Sequence, residues 1–256
     1  MCLILFAYDC HPRYQLILAA NRDEFYARPS LPACFWGDNP TILGGRDLQE
    51  GGTWLGITTT GYFAALTNYR DPSAYKPQAP SRGYLVRDYL ETSVHPKTYI
   101  EQLPDGGRNY NGFNLLLGTW ESLFYYSNRE EILRPVLHGV HGLSNSLLDV
   151  PWPKVAKGKE ALAAAVQNED IDVEEVFAIL MDREQPDDEV LPKTGVSLEK
   201  ERMLAPAFII SPNYGTRSTS LLLIDRNLKV QFWERTFEPK QPDKWNQIYY
   251  EFMIID

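Results

Sequence analysis

Apolar residues run almost unbroken through Cys2-Leu3-Ile4-Leu5-Phe6-Ala7-Tyr8 and again through Gln15-Leu16-Ile17-Leu18-Ala19-Ala20-Asn21, with the turn-forming stretch Asp9-Cys10-His11-Pro12-Arg13 between them. Runs of this length, bounded by turn residues, predict two buried strands paired as an antiparallel hairpin. The hairpin returns the chain to the start of its first strand, so the polar tetrad Asn21-Arg22-Asp23-Glu24, following directly on the second strand, is expected beside Cys2 as either a solvated strand end or a site wall that includes Asn21 and Arg22. A further hairpin is predicted over residues 53–58 and 62–67, turned at Thr60-Gly61 and ending in Asn68. Helical spacing follows at 82–91, with Ser81 near its start, and at 96–103, started by Ser93 or His95. Strands are predicted at 113–119 and 123–127, then helices at 153–167 and 173–181, the latter begun by Asp172. The acidic tract from Asp182 to Glu189 breaks helices, so 182–205 reads as a long surface loop or lid. Strands resume at 207–210 and in a hairpin of 218–224 with 229–237, turned at Asp225-Arg226-Asn227. Strands, helices, strands, helices and strands again make an α+β order that fits a four-layer sandwich, without the βαβ repeat of a doubly wound fold.

The first strand also carries chemistry. Removal of Met1 would leave Cys2 with a thiol and a free α-amine on one residue. An α-amine has a pKa of roughly 7.7–8.0, so near neutral pH part of it is unprotonated and able to take the thiol proton. The alternative is a small core cysteine that merely follows the initiator methionine.

The tetrad, together with Gly44-Gly45-Arg46-Asp47, Gly51-Gly52-Thr53-Trp54-Leu55-Gly56, Leu66-Thr67-Asn68-Tyr69-Arg70 and Thr216-Arg217-Ser218, resembles the NRDE proteins, also called the Transport and Golgi Organization 2 family. The resemblance spans nearly the whole chain. It implies a four-layer αββα sandwich of antiparallel sheets, of the N-terminal-nucleophile hydrolase type, and a likeness to the Cys-type amidases of bile-acid conjugates and penicillin V. Carried over residue by residue, Cys2 matches the amidase nucleophile and Asp23 the carboxylate that holds the α-amine. Asn68 and Asn145 match the two oxyanion donors, and Arg217 the arginine flanking the site from a late strand. Asn21 shares a strand face with Asp23 because side chains alternate. The amidases place an arginine upstream of their Asn–Asp pair, where this chain has Ala20, and Arg22 lies between Asn21 and Asp23 instead. Arg22 then reaches the thiol only through a bulge; otherwise it pairs with Glu24 as a structural ion pair. Asn145 also suits an ordinary turn, and Arg217, without the resemblance, is a solvated charge.

At 256 residues the chain is long enough for one large core, and a single domain over 1–256 is expected. Net charge is −9 and the pI is near 5.0, with no basic cluster interleaved with aromatics, which argues against a nucleic-acid groove or an acidic membrane surface. No apolar run approaches the roughly 20 residues of a membrane span, and the first strand lacks the basic flank of a signal peptide, so a soluble, cytoplasmic protein is expected. Three cysteines give no disulfide framework. Among Cys10, His11, Cys34, His95, His138 and His141 no two cysteines have zinc-site spacing and the histidines lie in loop-like sequence, so neither a metal nor a cofactor is expected. The glycine pairs at 44–45 and 51–52 lack the ending of a phosphate loop and suit tight turns or close backbone approach instead. Trp36 and Trp54, beside those glycines, are the candidates for a pocket wall.

Two functional classes follow. One is a hydrolase that cleaves a non-peptide amide, or a thioester, of a small metabolite through an acyl-enzyme on Cys2. The other, which the family resemblance implies, is a non-catalytic binding or trafficking protein that holds a hydrophobic metabolite, haem or a lipid acyl group, on the same scaffold.

Overall fold

The computed structural model describes residues 2–255, the side chain of Cys2 excepted. Along the chain run β1 (Cys2–Tyr8), β2 (Tyr14–Phe25), β3 (Ser30–Phe35), β4 (Ile42–Asp47), β5 (Leu55–Thr58), β6 (Phe63–Asn68), α1 (Gly83–Thr92) and α2 (Pro96–Gln102). They are followed by β7 (Phe113–Gly118), β8 (Leu123–Ser127), the two-residue β9 (Arg134–Pro135), β10 (Gly139–Leu143), α3 (Pro153–Ala165), α4 (Val173–Leu180), α5 (Leu198–Leu204), β11 (Tyr214–Asp225), β12 (Lys229–Glu238) and β13 (Gln241–Met253). These elements form two compact units, one from the described residues up to 27 with 138–251, the other from 28–137 with the described residues after 251.

The first unit holds a six-stranded sheet in the order β10-β1-β2-β11-β12-β13. Pleat alternation sends Leu3, Leu5, Ala7, Ile17, Ala19, Leu221 and Leu223 to one face, where they pack with Val155 and Leu162 of α3 and Phe177 and Leu180 of α4. The alternate residues Ile4, Phe6, Leu18, Leu222 and Phe232 are equally buried. Burial of both alternating sets explains why β1 and β2 read as continuous apolar runs. Asp172 caps α4 through Oδ1, which accepts from the Glu174 and Glu175 amides at 2.8 and 3.3 Å.

The second unit is a seven-stranded meander, β3 to β9 in chain order, made by antiparallel pairing. Ala64, Leu66, Leu115 and Leu117 pack with Leu85, Val86, Tyr89 and Leu90 of α1. His95 caps α2, its Nδ1 accepting from the Lys97 amide at 3.2 Å, whereas Ser93 ends α1 in a left-handed conformation.

Four expectations are corrected. Strand β2 runs to Phe25, so the NRDE tetrad lies inside a strand whose pairing with β11 continues through it. Residues 182–205 contain α5, capped by Ser197 and fixed by Glu201, which is 3% exposed and accepts from the Thr194 amide and hydroxyl at 2.9 and 2.6 Å. Residues 207–209 are apolar because they are buried, and the segment forms only an isolated bridge between Ile210 and Gly215. The stretch containing His141 is strand β10 rather than loop. No helix among the described residues is long and apolar enough to cross a membrane.

Candidate active site

The β1–β2 register sets Cys2 opposite Arg22 and Leu3 opposite Asn21. Alternation along β2 then divides the tetrad, with Asn21 and Asp23 on the face of α3 and α4 and Arg22 and Glu24 on the other. Asn21, 1% exposed, gives both amide hydrogens to backbone carbonyls, Leu180 O at the end of α4 and Ala207 O, each at 2.8 Å. Its Oδ1 accepts from Thr219 Oγ1 at 2.5 Å. These bonds tie β2 to α4 and β11, which is a strut's work. Asp23 is 1% exposed; its Oδ1 accepts from Thr216 Oγ1 at 2.7 Å and its carbonyl from the Tyr214 hydroxyl at 2.9 Å. Burial pushes the Asp23 carboxyl above the usual range, against the pull of the Lys154 charge and the Thr216 bond. Lys154 is itself buried and donates to Leu204 O at 3.0 Å.

Arg217 lies in a bulge. Thr216 pairs with Asp23 and Ser218 with Arg22, so Arg217 is the extra residue of β11. Its Nη1 donates to Phe25 O at 2.9 Å and Tyr26 O at 3.2 Å. Burial, then the charge of Arg22, lowers the affinity of the Arg217 guanidinium for its proton. The register sets Arg22 opposite Cys2 with no bulge in β2, so the bulge expected at Arg22 is not needed for that placement; the irregularity lies in the facing strand β11. Ser218, 4% exposed, stands in a row with Arg22 and Cys2, and its Oγ makes no hydrogen bond among the described residues. One row further in, the buried Glu234 accepts from Ser220 Oγ at 3.1 Å. Sequence reasoning singled out neither Ser218 nor Glu234 as a site residue. The only available signal was the Thr-Arg-Ser motif and a glutamate alternating with apolar positions in a strand.

Asn145, 1% exposed, follows β10 in a loop that closes at Asp149. The Ser144 hydroxyl donates to its Oδ1 at 3.4 Å. Asp149 Oδ2 contacts His141 Nδ1 at 2.7 Å, while Oδ1 accepts from Lys159 Nζ at 2.6 Å and the Gly142 amide at 3.0 Å. Burial opposes ionisation of Asp149, but the bonds from His141, Lys159 and Gly142 outweigh it and hold the carboxyl down to about 2.

The remaining predicted residues belong to the second unit. Asn68 ends β6 opposite Phe113 and is half-buried. Trp36 is 2% exposed and packs inside the α1 core, with Nε1 donating to Gly44 O at 2.9 Å and the Arg46 guanidinium 4.4 Å from its ring. Trp54 is half-buried, and a Cβ at residue 45 would lie 2.3 Å from its ring atoms, so Gly45 exists to admit the indole. A groove of about 740 Å³ in this unit, walled by His95, Phe124, Tyr126 and Leu133, includes none of the predicted site residues. The thiol and α-amine of Cys2, and Met1, lie outside the described residues. Cys10 and Cys34 are free thiols, and no three His, Cys, Asp or Glu side chains among the described residues converge to hold a metal ion.

Residues 1–239 match the family described as Transport and Golgi organisation 2. The chain belongs to that family. Its relatives in this Transport and Golgi organisation 2 family include the Homo sapiens homolog, 38% identical over 99% of both chains, and the Drosophila melanogaster protein, 33% identical over 98% of both. Among solved structures, a mutant of the conjugated bile acid hydrolase from Clostridium perfringens superposes with a TM-score of 0.53 at 13% identity, covering 98% of this chain and 97% of that one. A second variant of the same enzyme gives 0.51 at 12% identity. The family's fold in this chain is therefore α+β, with two antiparallel sheets, and resembles that of N-terminal-nucleophile hydrolases.

Proposed function

We propose that this chain is a Cys-type N-terminal-nucleophile hydrolase that cleaves a non-peptide amide, or a thioester, of a small metabolite. The observation that carries the reading is the β1–β2 register, which sets Cys2 across from Arg22 with the buried carboxylate of Asp23 as the next residue. Once Met1 is removed, the Cys2 α-amine takes the thiol proton and the thiolate attacks the carbonyl carbon. Asn145 donates to the oxyanion that forms. The tetrahedral adduct collapses by breaking the bond to nitrogen or sulfur, and the α-ammonium returns its proton to the leaving group. Water then attacks the acyl-cysteine thioester by the same route in reverse. Asp23, steadied by Thr216, orients the α-amine, and Arg22 and Arg217 supply positive charge that favours the thiolate.

The test is a screen of amides and thioesters with protein whose intact mass shows Met1 removed, beside Cys2→Ser and a variant with one residue added before Cys2. Turnover in the processed protein and its loss in both variants is expected. Equal turnover in the extended protein excludes the α-amine as base. A second reading, a non-catalytic carrier of a hydrophobic metabolite such as haem or a lipid acyl group, draws on relatives named for transport and Golgi organisation and not for a reaction. It predicts ligand binding that survives Cys2→Ser with no turnover to lose.

A further inference from the structure

The loop between β10 and α3 turns its polar side chains inward. Ser144 and Asn145 are 2% and 1% exposed, although residues 144–148 belong to neither helix nor strand. A surface turn ordinarily gives such side chains to water, so an inward-facing loop needs an external restraint. One such restraint sits at Asp149. Its amide donates to Gly142 O at 2.8 Å and its Oδ1 accepts from Gly142 N at 3.0 Å, so one residue closes the loop onto the strand in both directions. The same carboxylate reaches His141 of β10 and Lys159 of α3. Helix α3 lies directly on this point, since a Cβ at residue 142 would stand 2.7 Å from Val155 Cγ1 and 3.0 Å from Lys159 Cγ. Asp149 itself holds a left-handed backbone, φ 61°, a conformation that non-glycine residues other than Asn and Asp seldom adopt.

We infer that Asp149 is a positioning residue: with His141, Lys159 and the Gly142 backbone it clamps the 143–149 loop so that Asn145 is aimed to receive the oxyanion. This rests on the hydrolase reading above, in which Asn145 is an oxyanion donor. Misplacing such a donor by about 1 Å is enough to lower a rate roughly a hundredfold.

The experiment compares two reactions of Cys2 in protein whose intact mass shows Met1 removed. With p-nitrophenyl acetate, the thiolate attacks the acetyl carbonyl, the C–S bond forms, and the oxyanion collapses with loss of p-nitrophenolate. With iodoacetamide, sulfur displaces iodide from carbon and no oxyanion forms. Asn145→Ala, Asp149→Gly and Asp149→Asn are measured beside the parent. Glycine keeps the left-handed backbone and deletes the carboxylate, while asparagine keeps both the backbone and an acceptor for Gly142.

Asp149→Gly is expected to slow acylation by about tenfold or more while alkylation stays within about twofold, and Asp149→Asn to fall between it and the parent. Lys159→Met, which leaves residue 149 intact, gives a smaller loss of the same kind and guards against misfolding of the other variants. Acylation by Asp149→Gly at the parent rate, with Asn145→Ala impaired, overturns the clamp and leaves the hydrolase reading standing. Equal loss of acylation and alkylation in all the 149 and 159 variants also overturns it. Unimpaired acylation in Asn145→Ala removes the oxyanion role and the clamp together, and absence of acylation at Cys2 in the parent overturns the hydrolase reading itself.

Discussion

Replacing Asn21 by alanine separates a structural from a chemical role for the first residue of the NRDE tetrad. The side chain makes three short hydrogen bonds, two to the carbonyls of Leu180 and Ala207 and one from the Thr219 hydroxyl, all in sites closed to water. Each is worth about 1 kcal/mol net, and an abandoned buried partner adds desolvation that no water relieves. The loss should therefore be about 3–4 kcal/mol in unfolding free energy, a large share of the stability of an ordinary domain. Thr219→Val removes one bond and is expected to cost about 1 kcal/mol, and the double variant should show coupling of similar size because the two residues share that bond. Urea unfolding followed by circular dichroism measures all three. The alkylation rate of Cys2 in Asn21→Ala, below the unfolding transition, should stay within about twofold of the parent because the amide faces α4. A stability loss under about 1 kcal/mol, or a collapse of Cys2 reactivity in a still-folded variant, would refute the strut and return Asn21 to the site.

Iodoacetamide should label Cys2 before Cys34 and Cys10, as peptide mass spectrometry reads directly; Cys10 is exposed, but burial and the charge of Asp9 push its thiol up, and equal labelling of all three would mark Cys2 as an inert core residue. Asp149, depressed in the fold from 3.8 to about 2, stabilises the protein fully above the unfolded value and loses that contribution as pH falls through the folded one. Unfolding measured between those limits should show a decline of about 1 kcal/mol after allowance for solvent screening, absent in Asp149→Asn. Gly45→Ala forces the new methyl into the Trp54 ring and should lower stability by about 1–3 kcal/mol, seen as a lower thermal midpoint; an unchanged midpoint would show that the indole moves freely.

Much of the fold was legible because burial and period agree. Strands β1, β2, β7 and β8 are apolar enough to be found from their runs alone, and α4 announces itself with Asp172 at the cap. Strand β13 was missed because its burial pattern is nearly all exposed, with Trp245 at 42% and Tyr249 at 45%, so no core side imprints a period on Gln241-Pro242-Asp243-Lys244. Strand β3 was obscured by the exposed Pro32, and β4 by Gly44 and Gly45, which here serve close packing. At the candidate site, the resemblance supplied Asp23, Asn145 and Arg217, but not the partners that fix them. Lys154 lies far from Asp23 in sequence, Thr216 was marked only as a member of its motif, and a lysine or an aspartate in a polar stretch carries no mark of what it will touch.

The extra residue at Arg217 also sets the parity of everything after it in β11. Even-numbered Thr216 and odd-numbered Thr219, Leu221 and Leu223 meet Asp23, Asn21, Ala19 and Ile17 on the same side of the sheet, which an unbroken strand cannot do. Removing residue 217 would set Thr216 and Ser218 as consecutive residues opposite Asp23 and Arg22, which takes out the bulge and leaves Thr219, Leu221 and Leu223 on the side of the helices. Exchanging Arg217 for another side chain keeps the bulge, whereas deleting it straightens the strand without changing which residues face the helices. A one-residue deletion among 218–224 with the bulge kept would shift that parity and should be tolerated far less than loss of residue 217, whatever chemistry the arginine performs.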